Sequence, residues 1–444
     1  MHQESVPAKP RHISLAARLQ AALLHRWGLR SSRVAVNSAY MMGSQFSIAL
    51  LQGLQFFLLA RALGSEEFGR IASVVAITSA LLPFSGLGLG NMAIMRIARL
   101  QARAEVCLGN ALAVTTVTAV VAVGLAVLIG TAVLPGRETW ILLLLLGISE
   151  ILLTKYIDVA AHVFFGLEKH RVSALFYNLH MLVRLACAAA LCFAWPRPTA
   201  LAWAQLHLAA GALTAAVVLF TSVRLLGRPR TDYRAAVSDA RTGVFFSVTL
   251  AARSLQTDVD KSILARSASA ATAGVYTAAF RLAYMACMPV FAILLALQAR
   301  MFQKGHHEGL AGTLGAVRLL ALAGGTYCLI LAGCMYMAAP AVPWLLGNSY
   351  QLSIDILRWL CLLPLFLVFQ AICSSALSGA DEQRQLGLLH TLTAGMSLLL
   401  NILLVPEFGW MGAVMAAYGS QGFLLLSMLV TIALLLQAQR KASR

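Results

Sequence analysis

Thr249, Arg253, Gln256 and Asp260 follow one another at spacings of four, three and four residues, in a stretch otherwise rich in Ala, Leu, Val and Phe. That spacing lines one face of an α-helix with a hydroxyl, a guanidinium, an amide and a carboxylate. Asp258 and Lys261 lie just off the stripe. The motif recurs elsewhere in apolar surroundings. Lys155, Asp158 and His162 share a face, as do Tyr177, His180 and Arg184, while Ser38, Gln45, Gln52 and Gln55 make an uncharged polar stripe. Arg281 and Arg318 stand alone in two further apolar stretches.

A charge at the centre of a bilayer costs on the order of 2.5–3.5 kcal/mol on insertion scales. Such stripes must therefore face a wet cavity or each other. The surplus is cationic: Lys155, Arg184, Arg253, Lys261, Arg281 and Arg318 stand against Asp158, Asp258 and Asp260, with Glu150 a further candidate. A cationic cavity in low dielectric attracts an anion, and the planar fork of arginine suits phosphate. The expected ligand is an anion bearing phosphate, with Gln45, Gln52, Gln55 and Gln256 available to hydrogen-bond sugar hydroxyls. Asp258, Asp260 and Asp158 are candidates for ion coupling. The bland alternative is that Lys155 with Asp158, and Lys261 with Asp260, are structural pairs. Arg281 and Arg318 could also snorkel from helix ends to headgroups, whereas Arg184 and Arg253 lie near mid-depth.

The elements that must carry these stripes are long apolar helices. A spanning helix needs about 20 mostly apolar residues, and twelve such stretches occur, near 34–60, 69–91, 107–134, 140–164, 171–194, 200–224, 243–264, 274–299, 312–338, 353–378, 385–405 and 411–437. The apolar runs are continuous rather than alternating, which excludes a β-barrel reading. Only 11% of residues are charged, far below a soluble domain. The net charge of +17 is explained by topology rather than by nucleic acid: alternate gaps hold 22 of the 34 Lys and Arg, and the opposite gaps hold 5. The positive-inside rule then places both termini in the cytoplasm.

The longest internal gap, 225–242, is basic and divides the chain six helices and six. The expected organisation is a basic segment 1–33, a bundle 34–224, a linker 225–242, a bundle 243–437 and a tail 438–444. Within 1–33, Leu15, Leu19, Leu23 and Trp27 recur at helical spacing, as in an amphipathic helix on the membrane surface. An internal echo supports the six-and-six split. Leu59-Ala60-Arg61 is followed by Gly69, and Leu264-Ala265-Arg266 by Gly274, with Pro83 and Pro289 in the helix that follows each. The matching offsets imply parallel repeats. Pro83, Pro289 and Pro364 are expected to bend the second, eighth and tenth spans.

Several chemistries are missing. The eight cysteines form no CxxC and no Cys/His cluster of zinc spacing. There is no GxxxxGK[ST] phosphate loop. No triad or carboxylate pair converges outside the apolar stretches, so no enzyme, cofactor or metal is expected.

Some junctions resemble a known family. Arg61-Ala62-Leu63-Gly64-Ser65-Glu66-Glu67-Phe68-Gly69 is similar to the R-x-L-G-x-x-x-[FY]-G junction of bacterial polysaccharide exporters. Gly86-Leu87-Gly88-Leu89 followed by Arg96, and Asp260-Lys261-Ser262-Ile263-Leu264 followed by Gly274-Val275-Tyr276 and Arg281-Leu282, resemble that family's second-helix exit and seventh-to-eighth passage. The family is the O-antigen and exopolysaccharide flippases of the multidrug/oligosaccharidyl-lipid/polysaccharide exporter superfamily. The resemblance implies an all-α, V-shaped pair of six-helix bundles working by alternating access. It implies undecaprenyl diphosphate carrying an oligosaccharide as substrate, moved across a bacterial inner membrane for O-antigen, capsule or exopolysaccharide synthesis. Membrane lipid, a polysaccharide polymerase and glycosyltransferases would be its partners. Rival readings are a cation-coupled drug exporter of the same superfamily, which would carry more acidic than basic cavity residues, a major-facilitator carrier, whose basic Gly-containing loop is not found in Gly90–Arg103, and a membrane glycan polymerase.

Overall fold

The computed structural model describes residues 33–442 apart from 101 and 137. The amphipathic pattern at Leu15–Trp27 lies outside the described residues. Every described element is helical. Closed helices satisfy their own backbone in lipid, so the composition leaves little alternative.

The order is α1 (Arg33–Leu81), α2 (Leu89–Leu100), α3 (Ala104–Val133), α4 (Thr139–Gly147), α5 (Thr154–Gly166), α6 (His170–Ala194) and α7 (Ala200–Leu226), then α8 (Tyr233–Ser267), α9 (Ala270–Met285), α10 (Met288–Ala338), α11 (Val342–Leu346), α12 (Ser353–Leu360), α13 (Leu363–Gly379), α14 (Gln383–Phe408) and α15 (Trp410–Ala442). A π-helical turn, Ile148–Leu153, joins α4 to α5. Eight helices are long and apolar enough to cross a membrane, or ten if each of two bent pairs is one span. α8 is not among them, because Arg253, Asp258, Asp260 and Lys261 crowd its second half. The first of the eight, Gly43–Leu100, is 58 residues long, about 87 Å at 1.5 Å per residue. It is broken at Gly64, whose φ of 71° only glycine adopts easily.

The proline expectations are refined. Pro289 and Pro364 do not kink helices from within. They begin α10 and α13, immediately after bends of 47° and 44°. Proline is accommodated there because a first-turn N–H has no intrahelical partner anyway. Pro83 sits in a short 3-10 turn, Leu82–Phe84, that ends α1. Helix starts elsewhere are capped by side chains: Thr199 accepts from the Ala202 amide, Asp232 from Ala235 and Ser269 from Thr272. Residues 233–242 of the basic gap form the first turns of α8.

The two ends of the molecule differ. At the basic end, Arg171 lies 4.5 Å over the Tyr40 ring, Arg96 pairs with Asp239 at 2.6 Å, and the Arg230 amide bonds the Glu105 carbonyl. At the opposite end, Tyr350 donates to the Ala60 carbonyl at 3.0 Å and Glu67 receives the Ala200 amide at 2.6 Å. The buried apolar core follows this polarity. Around the opposite end one cluster unites both halves, from Phe56 through Leu143, Trp203 and Tyr276 to Val414. Toward the basic end it divides into a cluster confined to the N-terminal half (Leu108, Phe164, Val218) and two confined to the C-terminal half (Met301 and Ile372; Leu377 and Met428). The halves thus share one core at that end, the sealed end, whereas at the basic end each has its own core and they meet through Arg96 with Asp239 and the close approach of Gly88 to Gly243.

The sequence echo is explained at the sealed end. Gly69 of α1 and Gly274 of α9 meet backbone to backbone, and a Cβ on either would overlap the other helix. Arg61 donates to the carbonyls of Trp344 and Leu345 (3.3 and 3.0 Å), and its counterpart Arg266 donates to those of Ala132 and Val133 (2.9 and 3.0 Å). Each repeat's arginine closes a helix end belonging to the other half.

Candidate functional site

The polar stripes condense into four knots. In the first, Lys155 Nζ lies 2.8 Å from Asp158 Oδ2, and Tyr177 donates to Asp158 Oδ1 at 2.6 Å. His162 Nδ1 lies 2.7 Å from the Asp158 carbonyl and 3.2 Å from its carboxylate. α5 supplies three of these groups at i, i+3 and i+7, and α6 supplies the tyrosine. The knot borders a cavity of about 520 Å³, lined among others by Gln45, Gln52, Thr154, His162, Tyr177 and His180. All its lining residues belong to the N-terminal half and none is lysine or arginine, so the cationic lining expected from the stripes is not found in this cavity, because Lys155 and Arg184 turn to carboxylates instead.

The second knot is centred on Glu150, in the π-helical turn. Its Oε1 is 3.2 Å from Arg184 and 2.9 Å from His207 Nε2. Ser149 lies 2.7 Å from His207 Nδ1. Beside it, His180 contacts Thr214 at 3.0 Å. The widened turn sets Ser149 and Glu150 side by side against α7, a use typical of π-bulges at functional positions.

The third knot joins the halves. Lys261 Nζ lies 3.0 Å from Asp258, 3.2 Å from Asp260 and 2.6 Å from the Thr257 carbonyl, and 4.7 Å over the Phe280 ring. Tyr276 donates to Asp260 at 2.8 Å, and Ser79 of α1 to Asp258 at 3.0 Å. Lys261 and Asp260 are each only 7% exposed. A charge so buried is tolerable because it is paired and hydrogen-bonded. The fourth knot is uncharged: Gln256 bonds Gln421 at 3.3 Å and lies 3.4 Å from His390, while Gln370 donates to the Gln421 carbonyl at 2.6 Å.

These contacts sort the expected site residues. Gln45 and Gln52 line the cavity. Gln55 is buried beside Phe56, and Gln256 is held by Gln421. Lys155, Lys261 and Arg184 are not free cations, since each faces a carboxylate. Asp158, Asp258 and Asp260 are likewise occupied by lysine or tyrosine. Arg281 and Arg253 are exposed and form no ion pair with a described residue. Arg281 lies 5.6 Å over the Phe56 ring and within electrostatic reach of Asp258 and of Arg184. Arg253 is near His390 and Tyr284. Arg318 does not join them. It is exposed on α10 beside the strongly exposed Leu319 and Leu322, nine residues past the break at Gly309, a position that suits the snorkelling expected for it.

His207, Ser149, His390 and Gln421 are absent from the expected site residues, and Tyr276 entered only as part of the family-like junction Gly274-Val275-Tyr276. His207 and His390 had a usable signal, since each is an ionisable residue inside an apolar stretch. Among the described residues no group of His, Cys, Asp and Glu is arranged to hold a metal ion.

A family model described as polysaccharide biosynthesis protein matches residues 34–304, more than half of the chain. The chain belongs to the polysaccharide biosynthesis protein family. Among solved structures, this family member is similar to an inward-facing conformation of a multidrug resistance MATE family transporter of the MOP superfamily (15% identity, TM-score 0.71, 88% of this chain and 96% of that one). It is also similar to an outward-facing conformation of such a transporter (16%, 0.59, 90% and 95%). A third likeness is to a MOP superfamily transporter from Pyrococcus furiosus, described as having a binding pocket of reverse polarity that suggests a different function (14%, 0.59, 89% and 94%). A search of curated proteins finds no match. The fold is shared with these transporters over nearly the whole chain.

Proposed function

We propose that this polysaccharide exporter is a flippase for undecaprenyl-diphosphate-linked oligosaccharide in a bacterial inner membrane, working by alternating access. Twelve crossings follow if Gly43–Leu100 crosses twice about Gly64 and α8 is counted as the seventh. The basic end then faces the cytoplasm, with both termini. The conformation is sealed at the outer end, with its cavity toward the cytoplasm.

The observation that supports the substrate best is Arg281 of α9, an exposed guanidinium that forms no ion pair with a described residue and lies 5.6 Å over the Phe56 ring of the N-terminal half. An arginine without a carboxylate, at the join of the halves, is suited to phosphate through its planar fork. A diphosphate seated there places its glycan in the cavity lined by Gln45, Gln52 and Tyr177. The polyprenyl chain stays in lipid, so only the polar head requires a path. A cation-coupled drug exporter is the second reading, raised by the multidrug neighbours. It needs carboxylates free to meet a cationic drug, and here Asp158, Asp258, Asp260 and Glu150 are all occupied.

The test is Arg281→Ala, expressed at wild-type level in a strain that depends on the protein. A charge-assisted contact is worth about 1.5–3 kcal/mol, so surface polysaccharide should fall by roughly tenfold or more, with glycan-loaded lipid accumulating on the inner leaflet. Normal surface polysaccharide, or loss of dye efflux alone, overturns the assignment.

A further inference from the structure

We propose that Glu150 is a resident counter-ion for Arg184, displaced by the incoming anion, and that its displacement loads one proton onto His207. The proposal rests on the anionic substrate argued above.

Three features distinguish this pair from a fixed structural bridge. Arg184 Nη1 lies 3.2 Å from Glu150, and its Nε is buried with no hydrogen-bond partner. The guanidinium therefore keeps donor capacity that Glu150 does not use. Secondly, Arg184 and His207 both contact the same carboxylate oxygen, Oε1, so loss of the arginine leaves the histidine contact in place. Thirdly, the Ser149 hydroxyl has two alternatives: His207 Nδ1 at 2.7 Å or the His207 carbonyl at 3.1 Å.

The hydroxyl allows His207 two satisfied proton states. In the resting state Ser149 donates to Nδ1, and Nε2–H donates to the Glu150 carboxylate. Neutral imidazole has one donor and one acceptor, and both are used. In the loaded state a proton from cavity water is added at Nδ1. The imidazolium then donates through both nitrogens, to Ser149 Oγ and to Glu150, and the serine hydroxyl turns to the His207 carbonyl. Charge is balanced throughout. At rest, Glu150 neutralises Arg184. When loaded, the substrate neutralises Arg184 and imidazolium neutralises Glu150. No uncompensated charge is left buried in either state.

One other imidazole lies nearby: with Nδ1–H given to Thr214, His180 keeps an acceptor Nε2 3.4 Å from Thr154, but it is not in hydrogen-bond contact with Glu150, so losing Arg184 from Glu150 does not charge it. α6 contributes Arg184 and His180. His180 donates through Nδ1 to Thr214, whose own hydroxyl is committed to the Ala210 carbonyl. α7 contributes His207, and Arg281 of α9 lies within reach of Arg184. On α5, Lys155 and His162 are tied to Asp158. The remaining neighbours, α1, α3 and α4, place no charged partner on Glu150.

The experiment uses the full chain in nanodiscs, with undecaprenyl diphosphate as the probe. Binding and proton uptake are followed together in weak buffer with a pH-indicating dye. Wild type should take up about one proton per lipid bound near neutral pH. Glu150→Gln should bind roughly tenfold tighter, without proton uptake. His207→Gln should bind with no uptake. Ser149→Ala, which removes the rotor but no ionisable group, should take up its proton only at lower pH, and it serves if His207→Gln does not fold. Lipid binding by wild type without proton uptake, or unchanged affinity in Glu150→Gln, overturns the counter-ion role while leaving the flippase reading intact. Absence of diphosphate binding by folded wild type overturns both.

Discussion

Replacing Gly69 by alanine should break the sealed end while leaving each half folded. A Cβ at Gly69 overlaps the Ala270 carbonyl oxygen and lies 2.7 Å from Ala270 C and Gly274 N. Carbon contacts are ordinarily about 3.5–4.0 Å, and the obstructing atoms are helix backbone that cannot rotate away. Clearing the Ala270 oxygen requires α1 and α9 to part by about 1.5 Å. The same end carries the Ser65 amide bond to Ser349 at 3.2 Å and the Tyr350 bond to Ala60 at 3.0 Å. A further ångström takes both beyond hydrogen-bonding distance. Overpacking costs about 1–3 kcal/mol, and each bond about 1 kcal/mol net. Partial relaxation reduces the total, so the sealed state should lose about 2–4 kcal/mol, a factor of roughly 30 to 1,000 in its population. The assay is the labelling rate of Ser262→Cys by a membrane-impermeant maleimide added from the sealed end, with native cysteines replaced. Ser262 is buried at 5% exposure, so labelling should be slow in the parent and much faster with Gly69→Ala. Gly315→Ala, where nothing lies within 4 Å of the new carbon, is the control. Equal labelling of the Gly69→Ala protein and its parent would show that this seam is not what closes the end.

Other expectations follow from the same contacts. Arg61→Ala and Arg266→Ala each remove a pair of bonds to helix-end carbonyls at an exposed position, so each should raise labelling of Ser262→Cys by a factor of about five, for about 1 kcal/mol; the two latches sit on different helix pairs and should combine additively. Asp260→Asn leaves Lys261 with Asp258 alone and deprives Tyr276 of a charged acceptor; thermal unfolding in detergent should show a loss of about 1–3 kcal/mol, larger than for the partly exposed Asp258→Asn. Arg318→Ala should leave surface polysaccharide unchanged where Arg281→Ala lowers it roughly tenfold or more, and equal loss in both would return Arg318 to the substrate path.

The sequence by itself determined a good deal. Continuous apolar runs require helices because lipid offers the backbone no other partner, and the alternation of basic gaps gave the molecule its two unlike ends. The local ion pairs were also legible, since Lys155 with Asp158 and Lys261 with Asp258 are one turn apart on their own helices. The Arg61–Gly69 and Arg266–Gly274 echo was visible as well, although not its purpose. Only the tertiary structure decided which cations keep their charge for a ligand. Arg184 is held by a carboxylate 34 residues earlier in the chain and His207 by the same group 57 residues away, so no helical period connects them. Whether a buried arginine is neutralised depends on how three separate helices rotate about their axes, and that is set by packing, as at Gly211 against Ser149. The cavity is a tertiary product for the same reason: it is enclosed by α1, α2, α5 and α6 of the N-terminal half, and no local run of residues encodes a gap between helices.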